Sequence, residues 1–187
     1  MALLIIIFTV ISTNYSQQDR ESFLLNASIM KTEDQWRIVN DDVMGGISSS
    51  KVFVTEVDKI TFSGNVSLEN NGGFASLRSQ LKNYNFINFS GIEIKLKGDG
   101  KRYSISMKET TYFSGYFYTS SFETKKDEWI VVQIPFNQFK LYFYGKETNS
   151  TKKIPLNNIK EISLLIGDKQ EGSFNTEIDY IKLYWLN

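Results

Sequence analysis

The chain contains no cysteine and no histidine. Without cysteine there is no disulfide, no thiolate nucleophile, no iron–sulfur cluster and no cysteine-based zinc site. Without histidine, serine–histidine–aspartate and cysteine–histidine relays are excluded, as are histidine metal ligands and an imidazole pH switch. Chemistry is left to carboxylates, lysines, tyrosines and oxygen ligands for a hard cation such as calcium. An excess of one charge is also missing, because 21 Lys and Arg balance 21 Asp and Glu. The basic runs Lys125-Lys126 and Lys152-Lys153 are short and have acids close by. They read as solvated surface, and nucleic acid is not an expected partner.

Long hydrophobic runs are lacking too. The longest, Ala2 to Ile11, is interrupted only by Thr9, whereas a helix crossing the hydrocarbon core of a bilayer needs about 20 residues. The run matches the hydrophobic region of a secretory signal, although no Lys or Arg precedes it, and the small residue Ser16 marks a plausible cleavage point. The expectation is a signal peptide over 1–16 and an exported mature chain, periplasmic or secreted, over 17–187, with no stable membrane span.

What the chain does have is period-two alternation. Short β-type runs occur at Lys51 to Thr55, Ile60 to Ser63 and Asn65 to Leu68, the last two separated by Gly64. Ile92, Ile94 and Leu96 fall on one face of a strand whose other face carries Glu93, Lys95 and Lys97. Gly98-Asp99-Gly100 then predicts a tight hairpin into Tyr103 to Met107. Further strands are expected at Tyr116 to Phe122, Trp129 to Ile134, Glu161 to Ile166 and Glu177 to Trp185, with one helical turn at Pro135 to Phe139. Some ten short strands without a long helical period predict a single all-β domain, an antiparallel β-sandwich or jelly roll.

The densest unusual stretch runs from Trp36 to Ser50 and holds Asn40, Asp41, Asp42, the pair Gly45-Gly46 and a run of serines. Adjacent carboxylates on an extended segment point to opposite sides, so they do not serve one centre as a paired acid and base. One is expected to accept backbone hydrogen bonds of the glycine turn, a role assigned to Asp42, while the other faces solvent or a ligand. A second glycine pair lies in Asn70-Asn71-Gly72-Gly73, where Asn-Gly supplies the positive φ of a hairpin turn. Phe74 and Arg78 share strand parity, which places a guanidinium on the side of a candidate core aromatic. Its expected partner is Asp41 or Asp42, with an anionic ligand as the alternative.

These stretches carry a resemblance. Trp36-x-x-Val39-Asn40-Asp41-Asp42-Val43-Met44-Gly45-Gly46-x-Ser48 resembles the signature of the complex I intermediate-associated protein 30 family. Phe62 through Arg78 resembles its second block, Gly91 through Tyr103 its third, Trp129 through Phe139 its fourth, and Gly172-Ser173-Phe174 its closing block. The resemblance implies a galactose-binding-like β-sandwich, a jelly roll also used by carbohydrate-binding modules. It implies a chaperone-like role in assembling respiratory complex I, without known catalysis. Matched to that motif, the residues to follow are Trp36, Asp41, Asp42, Met44, Gly45, Gly46, Ser48, Gly73, Phe74 and Arg78. The apparent export signal departs from that role, which takes place in the mitochondrial matrix.

Two binding functions follow as expectations. The first is a non-catalytic module acting through a protein partner, which suits a chain without histidine or cysteine. The second is a carbohydrate-binding module, with Tyr112, Tyr116 and Tyr118 lining one strand face as a stacking platform. No spacing singles out a carboxylate pair for glycoside hydrolysis. No cofactor is expected, and calcium near Asn40, Asp41 and Asp42 has no EF-hand spacing behind it.

Overall fold

Alternating apolar and polar residues put one face of each strand in the core, and two such sheets close on each other. The computed structural model describes residues 22–32 and 35–185. The expected signal peptide over 1–16 lies outside the described residues. Within them, β1 (Phe23–Asn26), β3 (Ser49–Val54), β4 (Ile60–Val66), β6 (Gly91–Lys97), β9 (Trp129–Pro135) and β13 (Gly172–Tyr184) form one antiparallel sheet. Its order is β3-β4-β13-β6-β9, with β1 on the second half of β13. The other sheet has the order β11-β10-β8-β7-β12-β5-β2. It is built from β2 (Trp36–Asn40), β5 (Ala75–Ser79), β7 (Arg102–Lys108), β8 (Tyr116–Glu123), β10 (Lys140–Phe143), β11 (Lys146–Glu147) and β12 (Glu161–Ile166). This is the expected all-β jelly-roll sandwich.

The alternation is realised in the core. Ile92, Ile94 and Leu96 of β6 meet Phe62, Ile178 and Ile181 on one side, while Leu77, Ile105, Met107, Ile162 and Leu164 come from the opposing sheet. All of these are fully buried, each contributing about 1.5–3 kcal/mol of transfer free energy. The short helix α1 (Ala27–Thr32) is capped by Asn26, whose Oδ1 accepts a hydrogen bond from Ile29 N at 2.9 Å. Among those residues no helix is long and apolar enough to cross a membrane. Pro135–Phe139 does hold a helical turn, a 3-10 turn over Phe136–Gln138.

Two expected hairpins are corrected. Strands β6 and β7 belong to different sheets, so the Gly98–Gly100 turn carries the chain across the sandwich. The segment Asn70–Gly73 likewise leads from β4 in one sheet to β5 in the other. The positive φ values are present, at Asn70 (54°), Asn71 (60°) and Gly73 (135°). Turn chemistry reports the local backbone reversal and carries no information about which neighbour the emerging strand pairs with. The strand also runs unbroken through Gly64, since β4 spans Ile60–Val66.

Candidate functional site

Strand β2 ends at Asn40, and the chain turns through a 3-10 helix over Asp41–Met44. Gly45, at φ 90°, ends it, with the amides of Gly45 and Gly46 bonded to the carbonyls of Asp42 and Asp41, each at 3.0 Å. The carboxylate of Asp41 is fully buried and accepts four hydrogen bonds. Oδ1 takes Ser48 N (2.9 Å). Oδ2 takes Ser48 Oγ (2.5 Å), Gly73 N (2.6 Å) and Phe74 N (3.2 Å). Ser48 Oγ in turn accepts Ser67 N at 2.9 Å. Burial pushes the Asp41 carboxyl up, but the Ser48 hydroxyl and the amides of Gly73, Ser48 and Phe74 outweigh it and hold the group below the usual carboxylate range.

The two glycine pairs are thereby explained together. A Cβ at Gly46 would stand 2.4 Å from Asp41 Cγ, and one at Gly72 would stand 2.6 Å from Asp41 Oδ2. One side chain occupies the space that both glycines leave open.

The assignment of the amide acceptor to Asp42 is corrected. Asp42 is exposed, and only its backbone carbonyl serves the turn. Asp41 is also withdrawn as a calcium ligand, because its oxygens are filled by N–H and O–H donors, and Asn40 Oδ1 accepts Ser50 Oγ at 2.7 Å. Among the described residues no cluster of carboxylates is arranged to hold a metal. Trp36 is a core residue whose indole nitrogen donates to Leu24 O at 3.0 Å, tying β2 to β1.

The loop that Asp41 anchors carries apolar side chains into solvent. Val43 is 67% exposed, Met44 58% and Ile47 54%. Of these the sequence pattern singled out Met44 alone. The signal available for Val43 and Ile47 was their position beside the glycine pair, outside any strand alternation.

Arg78 and Phe74 are placed differently from expectation. Phe74 is half-buried and lies outside the core cluster. Arg78 pairs with Glu161 of β12, Nη1 to Oε1 at 3.7 Å, and not with Asp41 or Asp42. β5 sits next to β12 in the seven-stranded sheet, while the Asp41 carboxylate turns into the inter-sheet corner. The tyrosine platform also fails as drawn. Tyr118 is buried in the core, whereas Tyr116 is 45% and Tyr112 69% exposed. Rings do gather at that end of β8 and β10, where Tyr116 lies 4.5 Å from Phe143, and Tyr144 lies 4.6 Å from Phe143 and 5.7 Å from Phe113.

The described residues form an antiparallel jelly-roll sandwich whose corner loop is pinned by Asp41 and bears apolar side chains at its tip. The model of the family "Complex I intermediate-associated protein 30" matches residues 25–178, and the chain belongs to that family. It is similar to the mitochondrial complex I intermediate-associated protein 30 of Drosophila melanogaster, 23% identical over 80% of this chain and 58% of that protein. It is also similar to the probable mitochondrial counterpart of Caenorhabditis elegans, 27% identical over 81% of this chain and 50% of that protein. The chain therefore spans about half the length of these relatives. In structure it is similar to the family 11 carbohydrate-binding module of Clostridium thermocellum bound to a β-1,3-1,4-mixed-linked tetrasaccharide, with a TM-score of 0.64 and 17% identity over 88% of this chain and 95% of that one. The relatives named as mitochondrial overturn the expectation of export and point to the mitochondrion.

Proposed function

We propose that this chain is a non-catalytic binding module that acts in complex I assembly by holding a protein partner on the loop from Val43 to Ile47. The observation that carries the reading is the exposure of Val43, Met44 and Ile47 above a fully buried Asp41. An apolar tip that is already ordered loses little entropy when a partner covers it. Such residues in solvent, on a turn whose base is hydrogen-bonded, mark a contact surface more readily than a packing defect. The names of the family's relatives support a protein partner connected with complex I.

The test is affinity capture of the tagged chain from mitochondria of its native host. Complex I subunits or their assembly intermediates are the expected catch. The triple variant Val43→Ser, Met44→Ser, Ile47→Ser should recover at least fivefold less with an unchanged Tm, and equal recovery overturns the reading. A second reading, a glycan-binding module, is supported by the structural neighbours and by the ring cluster of Phe113, Tyr116, Phe143 and Tyr144. Saturable quenching of intrinsic fluorescence by mixed-linked β-glucan is its test.

A further inference from the structure

The outer face of the seven-stranded sheet holds a charge imbalance that the loop does not involve. Strand pairing sets Glu161 beside Lys108, and Arg78 beside Ser163, which in turn lies beside Ser106. Ile162 and Leu164 enter the core, so Glu161 and Ser163 point the other way. Glu161 is 2% exposed and Lys108 9%, although both stand on that outer face. Three cations converge on the one carboxylate. Arg37 Nη2 reaches Oε2 at 2.5 Å, while Lys108 Nζ (3.3 Å) and Arg78 Nη1 (3.7 Å) share Oε1.

Arg37 is the satisfied member, with Nη1 also donating to Ser79 O at 2.9 Å and nearly half of its side chain in water. Arg78 and Lys108 pair with the same carboxylate at longer range. Charge-assisted hydrogen bonds run to about 2.7–2.9 Å, and neither comes that close to Oε1. Arg78 uses Nε on Ser76 Oγ (2.9 Å) and lays its plane over Phe117 at 6.0 Å, which leaves most of its N–H groups unspent. Shielded cations are costly without a counter-charge. The lysines on the opposite face of the sandwich, Lys59, Lys95, Lys97 and Lys182, keep 29–39% exposure and share three carboxylates, those of Asp179, Glu177 and Glu93.

We infer that Arg78 and Lys108, with the hydroxyls of Ser163 and Ser106 beside them, form an anion site that takes the carboxylate of an acidic peptide segment. Ser106 Oγ shares a hydrogen bond with Thr119 Oγ1 at 2.9 Å, and Ser163 Oγ donates only a long bond to Ser106 O at 3.4 Å. A carboxylate above Ser163 would accept from the guanidinium, the ammonium and the Ser163 hydroxyl turned from that long bond, and would reduce the local excess of positive charge. A peptide fits better than an acidic sugar because the rings near the cations among the described residues are engaged: Tyr84 lies under Lys82 Nζ at 5.0 Å and against Phe86 at 5.8 Å. Phe117 is covered by Arg78, and the Tyr142 hydroxyl is held by Glu147 at 3.3 Å. The ligand's identity as a peptide rests on the reading of the chain as a protein-binding module.

The experiment is fluorescence polarisation of the full chain with fluorescein-labelled hexaglutamate, with hexaglutamine as the uncharged control and trigalacturonate as competitor. Saturable binding of hexaglutamate alone is expected. Lys108→Met and Arg78→Met should weaken it at least tenfold, and Lys108→Arg should stay within threefold of the parent, with Tm recorded for each. Absence of saturable binding by the folded parent, or undiminished binding by Lys108→Met, overturns the site. Displacement by trigalacturonate at a tenth of the peptide's concentration overturns the peptide assignment. The probe has no apolar side chain, so it reports this site whatever contacts Val43, Met44 and Ile47 make.

Discussion

Asp41 Oδ2 accepts a hydrogen bond from Gly73 N at 2.6 Å, joining two loops 32 positions apart in the chain. One loop leaves the seven-stranded sheet after β2, and the other enters it before β5, having come from the six-stranded sheet. A single carboxylate therefore fastens a corner of the sandwich and orients the turn that bears Val43 and Met44. If it were removed, the amides of Ser48, Gly73 and Phe74 would be left without this acceptor, while the Ser48 hydroxyl also reaches Ser67 O at 3.3 Å.

That arrangement separates the two aspartates of the motif. Asp41→Ala orphans three buried or half-buried amides and leaves the Ser48 hydroxyl only its longer bond to Ser67 O, and each lost amide bond costs about 1–3 kcal/mol. With partial relaxation by water, the expected destabilisation is about 3 kcal/mol. In a chain of this size that lowers Tm by roughly 6–12 °C. Asp42→Ala touches no such bond and should stay within about 0.5 kcal/mol of the parent. Thermal unfolding of both variants checks the pair, and equal losses would show that the anchor has been misassigned.

The glycines give a coupling test. Gly46→Ala puts a methyl group 2.4 Å from Asp41 Cγ, and overpacking of this kind costs about 1–3 kcal/mol. Gly45→Ala meets open space, so its penalty is only the positive φ of 90°, about 1–2 kcal/mol. In an Asp41→Ala background the Cγ and Oδ1 contacts are gone while the Cβ of position 41 still stands 2.8 Å from the new methyl group, so Gly46→Ala should cost less than in the parent but stay unfavourable. Urea denaturation of the four-member cycle would measure that non-additivity, and additive losses would mean that the side chain and the glycine are not in contact.

Acid sensitivity follows from the same carboxylate. Its folded pKa lies below the unfolded value of about 3.9, so its contribution is fully present above that value. It is lost as pH falls through the folded pKa, because the unfolded chain takes up the proton first. Glu93 and Asp179 behave alike: burial raises them, but hydrogen bonds from Gln133 and Tyr180 and from Lys59 and Lys95 hold them low. Asp41→Asn isolates one contribution from this shared acid response. The variant should show a shallower fall of unfolding free energy between about pH 4 and pH 2 than the parent. An identical slope would mean that Asp41 titrates alike in both states.

The two-sheet architecture was legible because Ile92, Ile94 and Leu96 could not alternate with charges unless one face met water. Asp41 and Asp42 were harder to separate, because both lie beyond the end of β2, where a 3-10 turn replaces strand parity. The partner of Arg78 was invisible for another reason. Glu161 is 83 positions away, and β5 reaches it only through pairing with β12. Long-range strand order decides which charges meet, and local periodicity does not encode that order. Tyr118 illustrates the same limit. Its parity with Tyr116 held, yet one side of that strand passes from the core at Tyr118 to the open end of the sheet at Tyr116.

The corner between β6 and β7 makes a last prediction, since it was expected to be a hairpin and instead crosses between sheets. Asp99 fastens it from three directions: Oδ1 accepts Lys101 N at 3.0 Å, and Oδ2 accepts Tyr103 Oη at 3.0 Å and Asn175 N at 2.9 Å. Tyr103 is fully buried, and burial, followed by the Asp99 charge, drives its hydroxyl far above its ordinary pKa, so it remains a donor at every usable pH. Asp99→Ala leaves that hydroxyl unpaired in the core and should cost about 2 kcal/mol or more. Tyr103→Phe removes the buried donor and leaves Asp99 with its two amides, so its cost should stay near 1 kcal/mol. In the Asp99→Ala background, Tyr103→Phe should recover part of the loss. Chemical denaturation of the three variants decides the matter: if Asp99→Ala is no worse than Tyr103→Phe, the corner is held by its glycines and not by the carboxylate.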